Sequence, residues 1–267
     1  QELQLLFRYL GVSDADMEKG QMRVEANLSL RPAGSKELGV KIEIKNLNSF
    51  KATRDAIDYE IKRQTEILNR GEKIIQQTRG WNESKGETVL QRIKEESHDY
   101  RYFPEPDLPP LNTNIETIKE FEAGLPELPS DKRKRFKSEY NLADEQINIL
   151  VNNKKLAGFF ENVISELEEL EEGDKKKMVV LSANYLLGDF LGLLNTASAE
   201  VDDTRITAED FAELMGLIHS NAITARAAKE VLKEMWSTGK DPDLIIKEKD
   251  LGQTQDTGEI EKVVSKI

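Results

Sequence analysis

Apolar and polar positions alternate without a break from Met22 to Arg31. Met22, Val24, Ala26, Leu28 and Leu30 share one face, and Arg23, Glu25, Asn27, Ser29 and Arg31 share the other. The two-residue period returns in 38–45, where Leu38, Val40, Ile42 and Ile44 are apolar and Lys41, Glu43 and Lys45 are polar. Between the two runs, Pro32-Ala33-Gly34-Ser35-Lys36-Glu37 has turn chemistry, so the pair predicts an antiparallel hairpin. Two registers bring the apolar faces together, since a slip of one residue turns every side chain over. One sets Glu25 opposite Glu43, which is unfavourable without a cation. The other sets Glu25 opposite Lys45 and Asn27 opposite Glu43, and neutralises itself.

After the hairpin the period lengthens. Asn48 or Ser49 can cap a helix whose stripe runs through Phe50, Ile57, Ile61, Gln64 and Leu68, with Gly71 placed as a left-handed stop. Residues 73–81 and 87–93 flank Asn82-Glu83-Ser84-Lys85-Gly86 and predict a second hairpin. Near the start, Leu3, Leu6, Phe7 and Leu10, closed by Gly11, predict a short helix. Four of the eight prolines fall between 104 and 110, which predicts a stiff, extended exit from this region.

Beyond about Thr113 the pattern is helical throughout. One helix starts at Asn141 or Asp144, and 155–170 and 174–195 give two more, parted at Glu172-Gly173. Thr207 with Asp210 makes a capping box for a helix reaching His219; 222–236 gives the next, and Asp241-Pro242 opens a last short one. Gly188 and Gly192, four residues apart in a helix, predict a close helix approach. The fold class is therefore α+β. An antiparallel β-rich domain spans 1–111, a linker and an all-helical domain span 112–246, and 247–267 begins a further segment.

Composition narrows the chemistry. The 267 residues include no cysteine and two histidines, so disulfides, thiol nucleophiles and cysteine-based metal sites are excluded, and a structural zinc site is not expected. A reducing, cytoplasmic compartment is the matching expectation. No signal-peptide pattern opens the chain. No apolar run approaches the ~20 residues of a membrane span, so no membrane association is expected. The net charge is −12, but residues 1–111 are nearly balanced, with 18 basic against 19 acidic side chains. Acidity on this scale disfavours non-specific nucleic-acid binding while leaving room for an RNA partner at one locally basic face. The chain opens inside a helical pattern and closes inside the stripe Ile260, Val263, Val264, Ile267, which predicts a piece of a longer protein.

Neither a glycine-rich phosphate loop nor a His-Glu-x-x-His helix is present. Glu25 and Glu43 are the candidates for acid chemistry or divalent-metal binding, with Arg23, Arg31, Lys41 and Lys45 around them. Magnesium takes one or two protein carboxylates, with water and substrate phosphates completing its shell. The plainer alternative is a solvated sheet face of mixed charge. Tyr100-Arg101-Tyr102-Phe103 can stack bases or simply pack the end of the domain, and His98 can shuttle protons or sit on the surface. The basic run Asp131-Lys132-Arg133-Lys134-Arg135-Phe136-Lys137 offers contacts to an RNA backbone, though a solvated helix face is the default. His219, in an apolar helix, is structural.

Four blocks together resemble one family: Met22 to Pro32, Lys41 to Phe50, Gln77-Thr78-Arg79-Gly80-Trp81-Asn82-Glu83, and His98 to Pro110. In this order they resemble the B subunit of the glutamyl/aspartyl-tRNA amidotransferases, and 241–262 is similar to the entry of that family's helical, tRNA-interacting tail. The resemblance implies that 1–111 is the C-terminal part of a kinase-like cradle domain, and that 247–267 begins the tail domain. It implies a ligase component that uses ATP and Mg2+ to phosphorylate the side-chain carboxylate of Glu-tRNA(Gln) or Asp-tRNA(Asn). Ammonia from the glutaminase (A) subunit then completes the amide, with the small (C) subunit the third partner. Glu25, Glu43 and Lys45 become the catalytic candidates, Glu25 and Glu43 the metal ligands, and Arg23 and Lys41 the nucleotide contacts. Many members carry Arg-Cys-Asp-x-Asn where this chain has Arg23-Val24-Glu25-Ala26-Asn27, so the carboxylate sits one methylene further out. The family's N-terminal half is absent, and the chain alone is expected to be inactive. The competing class is a non-catalytic RNA- or protein-binding scaffold.

Overall fold

A computed structural model of the chain describes residues 1–93, 103–167 and 172–253, with the side chains of 172 and 173 not included. The chain divides into two compact units, 1–126 and 127–267.

The first unit is built on a four-stranded sheet in the order β1 (Val24–Leu28), β2 (Ile42–Leu47), β3 (Gln77–Asn82), β4 (Glu87–Ile93). Both predicted hairpins form, as antiparallel β1/β2 and β3/β4, and the whole is α+β as the alternation implied. The central pair β2/β3 is parallel, because the helix between them carries the chain back before β3 begins. That helix, Phe50–Asn69, follows a shorter Glu2–Leu10 helix, and the two are labelled α2 and α1. The Ser49 hydroxyl accepts the Ala52 N–H at the start of α2. At its end Gly71, with φ +73°, allows two closing bonds: Gly71 N–H to Leu68 O at 3.0 Å and Glu72 N–H to Ile67 O at 3.1 Å.

Ile42, Ile44 and Leu47 of β2, Ala52 and Ala56 of α2, and Trp81 of β3 form the buried core of this unit. Two expectations fail here. The buried row of α2 is Ala52, Ala56, Glu60 and Gln64, while Ile61 and Leu68 stay exposed, because the sheet offers this helix polar groups as well as apolar ones. Leu38 and Val40 are exposed as well, since the β1/β2 ladder stops at Leu28–Ile42. With Leu30, Ile61 and Leu68 they line an open groove of about 820 Å³. After the proline-rich stretch, α3 (Ile115–Gly124) buries none of its residues.

The second unit is helical: α4 (Pro129–Tyr140), α5 (Asp144–Asn152), α6 (Lys154–Ser165), α7 (Glu172–Tyr185), α8 (Leu191–Ala197), α9 (Ala208–His219), α10 (Ala225–Thr238) and α11 (Pro242–Lys249). The Thr207/Asp210 capping box and the Asp241 cap form as the sequence predicts. A π-turn, Leu186–Phe190, joins α7 to α8 and places Phe190 against Phe159, Phe211 and Trp236. Gly188 and Gly192 do not mark a close approach, for among the described residues a Cβ at either would meet no atom within 4 Å beyond its own helix backbone. The π-turn re-aims that stretch, so the four-residue spacing no longer defines one helix face. The continuous helix Asp174–Ala197, 24 residues, is long and apolar enough by length and composition to cross a membrane, contrary to the expectation from apolar runs. Only 44% of its apolar window is buried, yet that window carries the fully buried Ser182, and Asp189 pairs with Lys229 at 3.0 Å.

Candidate functional site

The face of the sheet away from α2 carries the side chains that alternate with the core. The observed register pairs Asn27 with Glu43, Ala26 with Ile44 and Leu28 with Ile42, which is the self-neutralising arrangement. A bulge then intervenes, since two steps from Val24 to Ala26 match three from Leu47 to Ile44. Asn46, with φ +61°, takes up the extra residue, and its side-chain amide donates to Trp81 O at 2.9 Å. Asparagine is among the few residues that adopt this backbone readily.

The bulge turns Lys45 between both candidate carboxylates. Its Nζ lies 3.1 Å from Glu25 Oε1 and 3.9 Å from Glu43 Oε1. Glu43 is the better enclosed, its side chain 13% exposed against 48% for Glu25. Across the parallel ladder Glu43 is the partner position of Thr78, whose hydroxyl donates to Glu43 Oε2 at 2.8 Å. Arg23 and Lys41 are exposed and flank opposite ends of the β1/β2 ladder, separated by about six residues or ~20 Å at ~3.4 Å per residue. So Glu25, Glu43 and Lys45 are brought together and the other two are not.

On the α2 face lies a second charged assembly that the sequence pattern did not reveal. Glu60 is fully buried, and its carboxylate takes Arg63 Nε at 3.0 Å and Nη2 at 2.9 Å. It also takes Gln64 Nε2 at 3.1 Å, the Thr88 hydroxyl, and Arg79 Nε at 3.0 Å. Arg79 further donates to Thr88 O at 2.6 Å. Burial pushes the Glu60 pKa up, but the hydrogen bonds from Arg63, Thr88 and Gln64 outweigh it and hold the group below the usual carboxylate value. For Arg79, burial and then the neighbouring Arg63 charge pull the pKa down. The available signal was Glu60 and Gln64 in line with the small Ala52 and Ala56, with Arg63 beside them, on a different row from Ile57, Ile61 and Leu68.

In the second unit the basic run is paired rather than offered to a ligand. Lys132 and Arg135 both reach Glu127 and Glu161, Lys134 pairs with Asp131, and Lys137 with Asp144. His219 lies 3.3 Å from Asp174. Carboxylate oxygens of Asp210, Glu213 and Asp241 fall within 4.8 Å of one another. Asp210 and Asp241 are committed to helix caps, and burial, then Asp241 and Asp243, raise the Glu213 pKa. His98, Tyr100, Arg101, Tyr102 and the stripe Ile260–Ile267 lie outside the described residues.

Residues 1–119 match the family model of the GatB/GatE catalytic domain, and 159–267 match that of the GatB domain. The chain belongs to the GatB family of amidotransferase subunits. It is 45% identical over 266 residues to the B subunit of the aspartyl/glutamyl-tRNA(Asn/Gln) amidotransferase of Caldanaerobacter subterraneus subsp. tengcongensis, covering 100% of this chain and 54% of that protein. The proteins of the same name from Carboxydothermus hydrogenoformans and Persephonella marina are 45% and 44% identical over 267 residues, with all of this chain and 54% and 55% of theirs covered. The chain thus spans about half the length of the curated relatives it matches.

Proposed function

We propose that the chain is part of the B subunit of a tRNA-dependent amidotransferase, and that the open face of its sheet serves phosphorylation of an aminoacyl-tRNA carboxylate. The observation that carries this reading is the Lys45 ammonium held between Glu25 and Glu43 on the sheet face away from α2, inside the region matched by a catalytic-domain model. Two carboxylates already sharing one cation are a donor set that suits Mg2+, which accepts one or two carboxylates and keeps water for the rest. Glu25 and Glu43 would hold it, and bound Mg2+ would offset the charge of the ATP phosphates.

In the reaction, the terminal phosphoryl group of ATP passes to the side-chain carboxylate of Glu-tRNA(Gln) or Asp-tRNA(Asn), and ADP leaves. Ammonia then attacks the acyl phosphate, orthophosphate departs, and the amide remains. The work left to this chain is positioning and charge. Lys45 supplies a cation that can move from the carboxylates to a phosphoryl oxygen a few ångströms away. Arg23 and Lys41, exposed at the ladder's two ends, can hold phosphates at the margins of the face. On this reading ammonia is delivered by the glutaminase (A) subunit, with the small (C) subunit the third member of the complex, as the family resemblance implies. The activity belongs to the full-length protein in that complex, in the cytoplasm where aminoacyl-tRNAs are made, and the 267-residue chain alone is inactive.

Glu43→Gln in the intact complex tests the reading. Expected is loss of aminoacyl-tRNA phosphorylation with tRNA binding retained. Wild-type phosphorylation would remove Glu43 from the site and leave the sheet as scaffold, with its charges ordinary pairing.

A further inference from the structure

We infer that Thr78 is a positioning residue for Glu43, holding one carboxylate oxygen so that the other is presented to the cation on the open face. The inference rests on the phosphoryl-transfer reading of that face. Thr78 and Glu43 occupy partner positions in the parallel β2/β3 ladder, 35 residues apart in sequence. The Thr78 side chain is buried, at 1% exposure, although it belongs to the face that carries the charges. A threonine hydroxyl has one proton to give, and here it goes to Glu43 Oε2 at 2.8 Å. The other oxygen, Oε1, is the one directed to Lys45 Nζ. Oε2 is thus bonded within the sheet, while Oε1 faces a positive charge.

The stiffness of the anchor gives it effect. Threonine is branched at Cβ, so its χ1 is restricted and the hydroxyl direction follows from the strand itself. The strand in turn is pinned from below. Arg79, the next residue, points to the opposite face and is bonded to Glu60 and Thr88. A glutamate has three side-chain torsions, so an oriented donor from the neighbouring strand narrows the positions its carboxylate can take. Groups that orient metal ligands through hydrogen bonds commonly control affinity by 10–100-fold.

The experiment compares Thr78→Val, Thr78→Ser and Glu43→Gln in the intact amidotransferase. Mn2+ binding is followed by electron paramagnetic resonance without substrates, together with the Mg2+ dependence of turnover and the thermal midpoint. Valine keeps the shape and strand preference of threonine and removes the donor; serine keeps the donor. Expected for Thr78→Val is roughly 10-fold or greater weakening of the Mn2+ binding component that Glu43→Gln abolishes, and more Mg2+ at half-maximal rate. The KM for aminoacyl-tRNA and the thermal midpoint stay near wild type, and Thr78→Ser restores affinity to within about 3-fold of wild type. Wild-type Mn2+ affinity in Thr78→Val, with Glu43→Gln defective, overturns the role of Thr78 and leaves the reading of the face standing. If Thr78→Ser fails to restore affinity, the effect belongs to packing and the inference is likewise overturned. If Glu43→Gln itself leaves Mn2+ binding and phosphorylation unchanged, the reading of the face fails, and the inference with it.

Discussion

Replacing Glu60 is the sharpest test of how the sheet is held to α2. The carboxylate is fully buried and receives donors from Arg63, Gln64, Arg79 and Thr88. Charged hydrogen bonds contribute about 1.5–3 kcal/mol each, but these share one acceptor and do not add. Breaking a buried ion pair from one side costs about 3–5 kcal/mol, most of it the stranded partner. Arg63, 18% exposed, can turn to water more readily than Arg79 at 13%, and glutamine still accepts one bond, so Glu60→Gln belongs near the lower end, about 3 kcal/mol. The assay is urea unfolding in a Trp236→Phe background, where Trp81 in the sheet core is the remaining tryptophan and reports this unit. Glu60→Met with Arg79→Met is the control, because removing both charges strands neither, and it should cost less than Glu60→Gln alone. The pH dependence has a fixed sign. With a folded-state pKa below the unfolded one, Glu60 contributes stability that is present above the unfolded value and lost as pH falls through the folded value. The gap between wild type and Glu60→Gln must therefore narrow below about pH 4.5, the ordinary range of an unfolded glutamate. A cost under about 1 kcal/mol at pH 7, or a double variant worse than the single one, refutes the reasoning.

Two further perturbations follow from local geometry. Ser49→Ala removes the α2 cap on the Ala52 N–H and should cost about 1 kcal/mol by the same urea assay, with Ser49→Asp recovering most of it. In the helical unit, Glu127 first, then Glu161, raise the Arg135 pKa above its usual value, and Lys132 shares both carboxylates. Glu161→Gln should cost about 1–2 kcal/mol at low salt and less at 1 M NaCl, because the cluster is only partly shielded from solvent.

The hairpins, the α2 caps and the helical second unit were readable because each rests on a local signal: a two-residue period, a cap residue, a glycine stop. The register was readable only as a choice, since Glu25 opposite Lys45 and Glu25 opposite Glu43 satisfy the apolar faces equally well. Charge decided it, together with a bulge at Asn46 that alternation alone does not announce. The parallel β2/β3 pair was not readable, because it depends on where α2 returns the chain. Nor was the buried row of α2. A stripe of Ile57, Ile61 and Leu68 looks like the better core on hydrophobicity, and Glu60 wins only because Arg79 and Thr88 wait for it on strands up to 28 residues away. Partners supplied by tertiary contacts leave no periodic trace. For the same reason no pattern in the sequence singles out Thr78, although its hydroxyl bonds the best-enclosed candidate carboxylate.

Thr78 and Arg79 are adjacent on β3, and strand alternation sends them to opposite faces. Arg79 ties the strand to the buried Glu60 on the α2 side, and Thr78 ties Glu43 to the strand on the open side. A disturbance of either partner therefore has a different reach. Loss of Glu60 loosens the strand and is felt first as stability, whereas loss of the Thr78 hydroxyl leaves the strand bonded and is felt first at the carboxylate. A sheet whose only task was to bury α2 would need the Arg79–Glu60 tie. The Thr78 hydroxyl, buried on the other face, gives its one proton to Glu43 Oε2, and on the proposed reading that bond fixes the direction in which the carboxylate meets its cation.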